Sequence, residues 1–419
     1  MFNQVLIYPD DQVYHRFLWR KEAQGQPTVY QWQRLNLGDK LAPDIAISCV
    51  NTLAKLAENG FPEAAKEIRE NSYVDDIGGS KHCGEDAKHI TKEIDKILAK
   101  EKFEIKAWNS NHKYVDQTKE KFSSFLGHKW DKSEDTISFA KQDIETVNKG
   151  LTKRNCLAFV AQLWDPMGFV SPVSIQMRIA LQEPWSMGCS WDELLPDDLQ
   201  WKWMKNVQVL NDLLKYETNR KRKPDDADGM PKIHGFCDAG EEAYGSVIFL
   251  RWKLKDNSYA CAPILVKAIV APLKKKSIPH LELMGCLLLV RIFSTIIEAV
   301  KFANIEACKK VFWIDSRTVL SWIRNSARVA EIQETVDVDK FRYIPSNLNP
   351  ADALTRGIDL GNLENWTKGP TFLFIESDEI PSHEHQNLEC GNEHDSLKEI
   401  KGMTPMKSLR KEEQHPKTC

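Results

Sequence analysis

Four acidic residues in the second half of the chain stand where carboxylates could cooperate. Asp238 lies inside HGFCDAG, Glu282 in IPHLELMG, Asp315 at the end of VFWIDS, and Asp352 just after Asn349-Pro350 in NLNPADALTRG. An acid in the middle of a central strand is costly unless something offsets it. Strand-end and helix-start acids can converge on one edge of a sheet. Four carboxylates so placed make an oxygen-rich negative pocket, the surroundings that hard divalent cations such as Mg²⁺ prefer. Two such ions roughly 3.5–4 Å apart would activate a water and stabilise a leaving oxygen in phosphodiester cleavage. Each acid also has a plainer role open to it. Asp315 could cap a helix beginning at Ser316, Glu282 could complement a helix dipole, and Asp352 could be an N-cap. Asp238 is the hardest to explain that way, because its neighbours Phe236 and Cys237 read as buried strand.

The elements that must position these acids are legible between residues 231 and 375. IHGFCDAG, AYGSVIFLRW and YACAPILVKAIVAP read as three consecutive strands. A long helix follows Pro279. KKVFWIDS is a fourth strand, RTVLSWIR a short helix, FRYIP a fifth strand, and ADALTRG the start of a last helix. The order β-β-β-α-β-α-β-α is a mixed α/β layout with helices covering a sheet. Upstream, TNRKRKPDDADGM has the composition of a linker. Residues 119–217 read as mostly helical and rich in tryptophan.

The first half carries strand signals in MFNQVLIY, HRFLWR and PTVYQWQRL. Residues 43–59 read as a helix, with Pro43 in its first turn and Ile47, Val50, Leu53 and Leu56 near helical spacing. SYVDDIGGS suits a tight hairpin. AKHITKEIDKILAKEKF is an amphipathic helix with Ile90, Ile94, Ile97 and Leu98 on its apolar side.

Composition sets the limits. At roughly 150 residues per domain, 419 residues make about three units. Hydrophobic residues at 42% and charged residues at 28% exclude a wholly disordered, collagenous or coiled-coil chain. The net charge is −3, so a basic nucleic-acid face must be local. Ten scattered cysteines with no C-x-x-C imply reduced thiols and a cytoplasmic or nuclear location. The apolar stretch Leu283 to Ile297 is cut by Arg291 and is too short to span a bilayer, so no membrane partner is expected. His383, His385, Cys390 and His394 fit no standard finger spacing, so no zinc is expected. Lys274, Lys275, Lys276 and Arg356 are candidate contacts to a nucleic-acid backbone. The alternative for the lysines is a solvated charge run. Trp322 reads as core.

FCDAGEEAYGSVIFLR, IPHLELMG, FWIDSRTVLSWIR and YIPSNLNPADALTRG resemble the ribonuclease H domain of the Pol polyprotein of BEL/Pao-type LTR retrotransposons. The resemblance implies a ribonuclease H fold. It also implies an Asp-Glu-Asp-Asp set that binds two Mg²⁺ ions and cuts the RNA strand of an RNA–DNA hybrid. Carried over motif by motif, that set falls on Asp238, Glu282, Asp315 and Asp352. Upstream, QRLNLGDKLAP and YVDD resemble reverse-transcriptase palm motifs, as does KFEIKAWNSN. The YVDD motif supplies Tyr73, Asp75 and Asp76 as a metal-site hairpin, and KFEIKAWNSN places Lys106 at the usual basic position. LGHKW resembles the primer-grip region. TKRNCLAFVAQLWDPMGFVSPV and WSMGCSWDELLP resemble the connection between polymerase and ribonuclease H.

There are departures from the family pattern. A further polymerase Asp would precede the Met1–Val5 segment, so DNA polymerase activity is expected to be lost by N-terminal truncation. Asn36 and Leu37 replace the usual residues before Gly38. The loop after Arg324 is short, with Asn325 and Ser326 leading almost directly into ARVAEIQE. His280 stands where the family has Arg, which could remove a phosphate contact.

The expectation is a multidomain α/β and α+β chain. Residues 1–118 would be a partial reverse-transcriptase palm. Residues 119–228 would be a thumb- or connection-like helical region with a linker. Residues 229–375 would be a ribonuclease H-like domain and 376–419 a disordered tail. The expected activity is Mg²⁺-dependent hydrolysis of RNA in RNA–DNA hybrids, with other retrotransposon proteins as further partners. The alternative is a catalytically dead or co-opted nucleic-acid-binding relic.

Overall fold

The computed structural model describes residues 1–139, 150–302, 309–325, 329–358 and 360–376. The expected tail falls, after Glu376, outside the described residues, as do His383, His385, Cys390, His394 and residues 326–328 of the short loop. The chain divides into two compact units, Met1–Ile137 and Ser138–Cys419.

The first unit opens with a 3₁₀ turn at Phe2–Gln4 where a strand was expected. An isolated bridge, Leu6 to Arg34, joins this segment to the strand region that follows, and Arg34 Nη1 donates to the Asn3 and Gln4 carbonyls. With no continuous ladder to join, the first residues close a turn on themselves. β1 (Arg16–Trp19) and β2 (Thr28–Gln31) form an antiparallel pair. Helix α1 (Ala42–Ala57) starts on Pro43 and buries Ala46, Val50, Leu53, Ala54 and Ala57. Leu56, expected on the apolar face, is exposed instead.

α2 (Pro62–Asn71) was not anticipated. It is followed by a tight hairpin of β3 (Ser72–Tyr73) and β4 (Asp76–Ile77), and then by α3 (Gly84–Ala99). α3 buries Ile90, Ile94, Ile97 and Leu98, the four residues its periodicity singled out. Residues 119–139 are not helical. They hold β5 (Phe122–Phe125), β6 (His128–Asp131) and β7 (Thr136–Phe139), with β5 and β6 antiparallel. The turn between β5 and β6 is made by Leu126 and Gly127, both at positive φ.

The second unit begins with three helices, α4 (Lys153–Gln162), α5 (Ser171–Ser186) and α6 (Asp197–Leu213), and a short strand β8 (Glu217–Asn219). Three long strands follow: β9 (Lys232–Ala239), β10 (Ala243–Lys253) and β11 (Tyr259–Val270). Helix α7 (Ile278–Phe302) leads to β12 (Lys309–Ile314), then α8 (Arg317–Asn325), α9 (Ala330–Thr335) and β13 (Phe341–Tyr343). α10 (Ala353–Arg356) and α11 (Leu363–Lys368) close the unit. The main sheet runs β11-β10-β9-β12-β13. β9, β10 and β11 are antiparallel neighbours, and β12 is parallel to both β9 and β13. Pro263 is tolerated in β11 because that strand lies at the sheet edge.

The sheet is covered on both faces. Ile233, Cys237, Ile248, Phe312 and Ile314 share a core with α7, α8 and α9. Phe236, Val247, Phe249, Val266 and Trp313 share the other core with α4, α5, α6, α10 and α11. A boundary at 228/229, drawn on the linker-like composition of 218–230, therefore does not separate compact units. That segment is pinned to the turn after β10 by Asp228 N to Lys253 O at 2.7 Å and Lys255 N to Asp226 O at 2.9 Å.

α7 also differs from expectation. Its stretch Ile278–Ile297 is long and apolar enough to cross a membrane by length and composition. Its apolarity is used in packing on the sheet, where Leu281, Cys286, Leu289, Val290 and Phe293 are buried. Arg291 on its outer side pairs with Glu331 at 2.7 Å.

Candidate active site at the carboxyl edge of the sheet

Strand periodicity puts two acids together. Along β9, Ile233 and Cys237 face α7, whereas Phe236 faces α5. Along β12, Phe312 and Ile314 face α7 and Trp313 the opposite side. A period of two then places Asp238 and Asp315 on the side of Phe236 and Trp313. The parallel register sets Cys237 opposite Ile314, so the two acids follow side by side where the strands end.

The other two acids arrive from helices. Glu282 sits near the start of α7, which approaches β9 because residue 285 is glycine. A Cβ on Gly285 would lie 3.1 Å from the carbonyl oxygen of Asp238. Ser246 Oγ donates to the Gly285 carbonyl at 2.9 Å and fixes this approach. Asp352 ends the turn before α10. Asn349 ties that turn to the sheet, with Nδ2 donating to the Cys237 carbonyl at 2.9 Å and Oδ1 accepting from Ala351 N at 3.1 Å.

The plainer roles belong to neighbouring residues. Ser316 caps α8, its Oγ accepting from Val319 N at 3.3 Å. Asn349 caps the turn before α10. Glu282 falls past the first turn of α7, which holds no acid. The four carboxylates are thus not engaged as caps.

Their charges interact. Burial pushes the Asp238 carboxyl up to about 6, with the charges of Asp315 and Asp352 adding to the effect and the Thr355 hydrogen bond opposing it. Burial raises Glu282 as well, opposed by a hydrogen bond to Ser316 and reinforced by Asp315. Burial also raises Asp352, against the pull of Arg356 and with the push of Asp315. Asp315 is the group common to all three.

Two of the carboxylates have side-chain partners. Thr355 Oγ1 donates to Asp238 Oδ2. Arg356 Nε pairs with Asp352 Oδ1 at 3.0 Å. Among the described residues, no three His, Cys, Asp or Glu side chains are gathered closely enough to hold a metal ion. The chemistry of the set nevertheless fits a hard divalent cation. It is made of carboxylates alone, and each of the three shifted acids is driven toward protonation in the absence of a positive charge.

Residues 152–316 match the Pao retrotransposon-like RNaseH-like domain. The matched stretch contains Asp238, Glu282 and Asp315. It also takes in α4, α5 and α6, which the structure packs against the sheet. No curated protein matches the chain. Within the RNaseH-like region, sequence reasoning missed the residues that hold the acids: Thr355, Ser316, Gly285 and Gln176. Gln176, on α5, donates from Nε2 to the Thr355 carbonyl at 3.1 Å. Only Ser316 and Thr355 carried a signal, a hydroxyl beside or three residues after an acid.

Of the remaining candidates, Arg356 lies at this edge and the others elsewhere. Lys274, Lys275 and Lys276 are exposed in the loop between β11 and α7. Arg356 is committed to Asp352. In the first unit Asp75 and Asp76 occupy the β3–β4 hairpin, with Tyr73 opposite Asp76 and Val74 at φ 54°. A β-branched residue in the left-handed region marks a strained turn. Burial raises the Asp76 carboxyl, and Asp75 adds to it. Lys106 lies exposed in an irregular segment.

Proposed function

We propose that the second unit is a nuclease that hydrolyses RNA in RNA–DNA hybrids with Mg²⁺, and that the chain is a Pol-type retrotransposon product. The observation that carries this reading is the convergence of Asp238, Glu282, Asp315 and Asp352 at one sheet edge, within and beside the matched RNaseH-like region. Two Mg²⁺ ions bound there supply Lewis acidity to the scissile phosphate and lower the pKa of the attacking water. Asp238 and Asp315 hold fixed positions at adjoining strand ends. Glu282 and Asp352 close the site from the helices, and Ser316 and Thr355 orient carboxylates. Arg356 pairs with the Asp352 carboxylate, which would share the ligation of a cation with Asp238, Glu282 and Asp315. Hybrid recognition rests on A-like backbone shape and 2′-hydroxyls, not on base sequence. The acidic β3–β4 hairpin supports a reverse-transcriptase palm origin for the first unit.

The test is cleavage of an end-labelled RNA–DNA hybrid by the full chain in Mg²⁺, beside Asp238→Asn and with single-stranded RNA and duplex DNA as controls. The expected result is cut RNA only in the hybrid, with the rate lowered by about 10³-fold or more in the variant. No cleavage from a folded wild-type chain would sink the nuclease reading and leave nucleic-acid binding without catalysis.

A further inference from the structure

The second unit carries an apolar surface that the proposed nuclease does not use. Where α5 ends and α6 begins, Trp185 and Trp191 meet edge to face, 5.5 Å between ring centroids. They are 44% and 45% exposed, and the intervening Met187 and the following Leu194 are each 61% exposed. The buried Lys153 ammonium backs both rings, at 4.4 Å and 5.3 Å, and donates to the Cys189 carbonyl at 2.8 Å. The segment is joined to α4 by Arg154 N to Trp191 O at 3.1 Å. Lys153 thus backs one side of the indole pair, the Arg154 guanidinium also lies over Trp191 at 5.5 Å, and the remaining surface of both rings is open to solvent.

The rim is acidic. Residues 183–198 contain Glu183, Asp192, Glu193, Asp197 and Asp198 and no Lys or Arg. Glu183 pairs with Lys202 and Asp192 with Arg154. Among the described residues, Glu193 and Asp197 have no ion-pair partner; Glu193 accepts from Ser190 N at 3.0 Å, and the charge of Asp198 acts on Lys202. This charge disfavours a polyanion on the tryptophans and favours a basic, apolar segment.

Such a segment follows in the same chain. In LKEIKGMTPMKSLRK, residues 397–411, the apolar residues Leu397, Ile400, Met403, Met406 and Leu409 recur at every third position. A basic residue follows directly in four of the five triplets: Lys398, Lys401, Lys407 and Arg410. A period of three is that of the polyproline II helix, which docks its ridge into aromatic-lined grooves. In that form the apolar edge extends about 37 Å at ~3.1 Å per residue.

We propose that residues 397–411 dock on the acid-rimmed face of Trp185 and Trp191 in the same molecule. The connecting residues 377–396 number 20. Fully extended they span up to about 66–72 Å, more than the ~46 Å diameter of a sphere with the radius of gyration of about 18 Å expected for a unit of this size. The tether therefore reaches. The apolar edge covers Met187 and Leu194, the basic side chains face Glu193, Asp197 and Asp198, and the Met side chains pack on the indoles.

The test is amide hydrogen exchange over residues 183–198 in the full chain. It compares wild type with a charge variant (Lys401→Glu, Lys407→Glu, Arg410→Glu) and an apolar variant (Met403→Ser, Met406→Ser). These substitutions lie outside the described fold, so the core is untouched. Exchange about tenfold faster in both variants, at a rate independent of protein concentration, is the expected result. Equal exchange in all three chains would overturn the proposal. So would protection that grows with protein concentration, because it would assign the face to a second copy.

Discussion

Asp238 is buried at the end of β9, and that burial raises its carboxyl from 3.8 to about 6. In the folded chain the protonated form is therefore favoured relative to the unfolded chain. Its contribution to stability is full below about 3.8 and is lost as pH rises through about 6. Glu282 and Asp352 are raised too, so they act in the same direction. Without divalent cations, the melting temperature should fall as pH rises across this window. Asp238→Asn should flatten the fall and raise the melting temperature at neutral pH while abolishing cleavage. Thermal melts of both chains from pH 4 to pH 7.5 check this, and a steeper fall in the variant would refute it. Thr355 gives a second prediction at this scale. Thr355→Val removes the hydroxyl that holds Asp238 and should lower hybrid cleavage about 10–100-fold, whereas Thr355→Ser should retain it. The four acids were legible because residue type and strand or helix position both marked them. Their supports were not. Gly285 matters only once α7 is laid on β9, and Gln176 reaches Thr355 from a helix far away in sequence.

At the scale of elements, α4, α5 and α6 are part of the sheet's core and not an appended connection. Phe159, Met177, Trp203 and Leu210 are buried in the same cluster as Phe249 and Val266. Trp366 Nε1 donates to the Phe169 carbonyl at 2.9 Å. The turn before α5 is built for this contact. Asp165 accepts from Phe169 N and Val170 N, and Gly168 sits at φ 79° with its missing Cβ only 2.0 Å from the Val266 carbonyl oxygen. Uncovering a large apolar side chain costs about 1.5–3 kcal/mol. A handful of them equals the whole stability of an ordinary domain, about 5–15 kcal/mol. Residues 229–375 alone should therefore aggregate or lose fixed packing, whereas residues 138–376 should stay soluble with a sharp near-ultraviolet circular dichroism spectrum. Gly168→Ala should destabilise the full chain by roughly 2–4 kcal/mol, read from denaturant unfolding. The strands β9 to β12 and helix α3 were readable because their periods are strong and their apolar residues large. α2 escaped notice because its buried face is Ala64, Ala65 and Ile68, too small to register as a stripe. The linker-like segment before β9 misled because its backbone joins the turn after β10 and Arg222 turns inward over the Phe169 ring.

At the scale of the whole molecule, the second unit joins a sheet covered on both faces to an edge where burial and mutual repulsion raise three carboxyls. Asp315 lies at the centre of that edge, since its charge acts on Asp238, Glu282 and Asp352 alike. The most direct test is the melting temperature of the full chain at pH 7.5 with and without 10 mM Mg²⁺, a concentration about tenfold above a millimolar dissociation constant, beside Asp315→Asn. The account predicts a rise of about 3–6 °C for wild type and none for the variant. An equal response in the two chains, or none in a well-folded wild type, would contradict a cation site built on these four carboxylates.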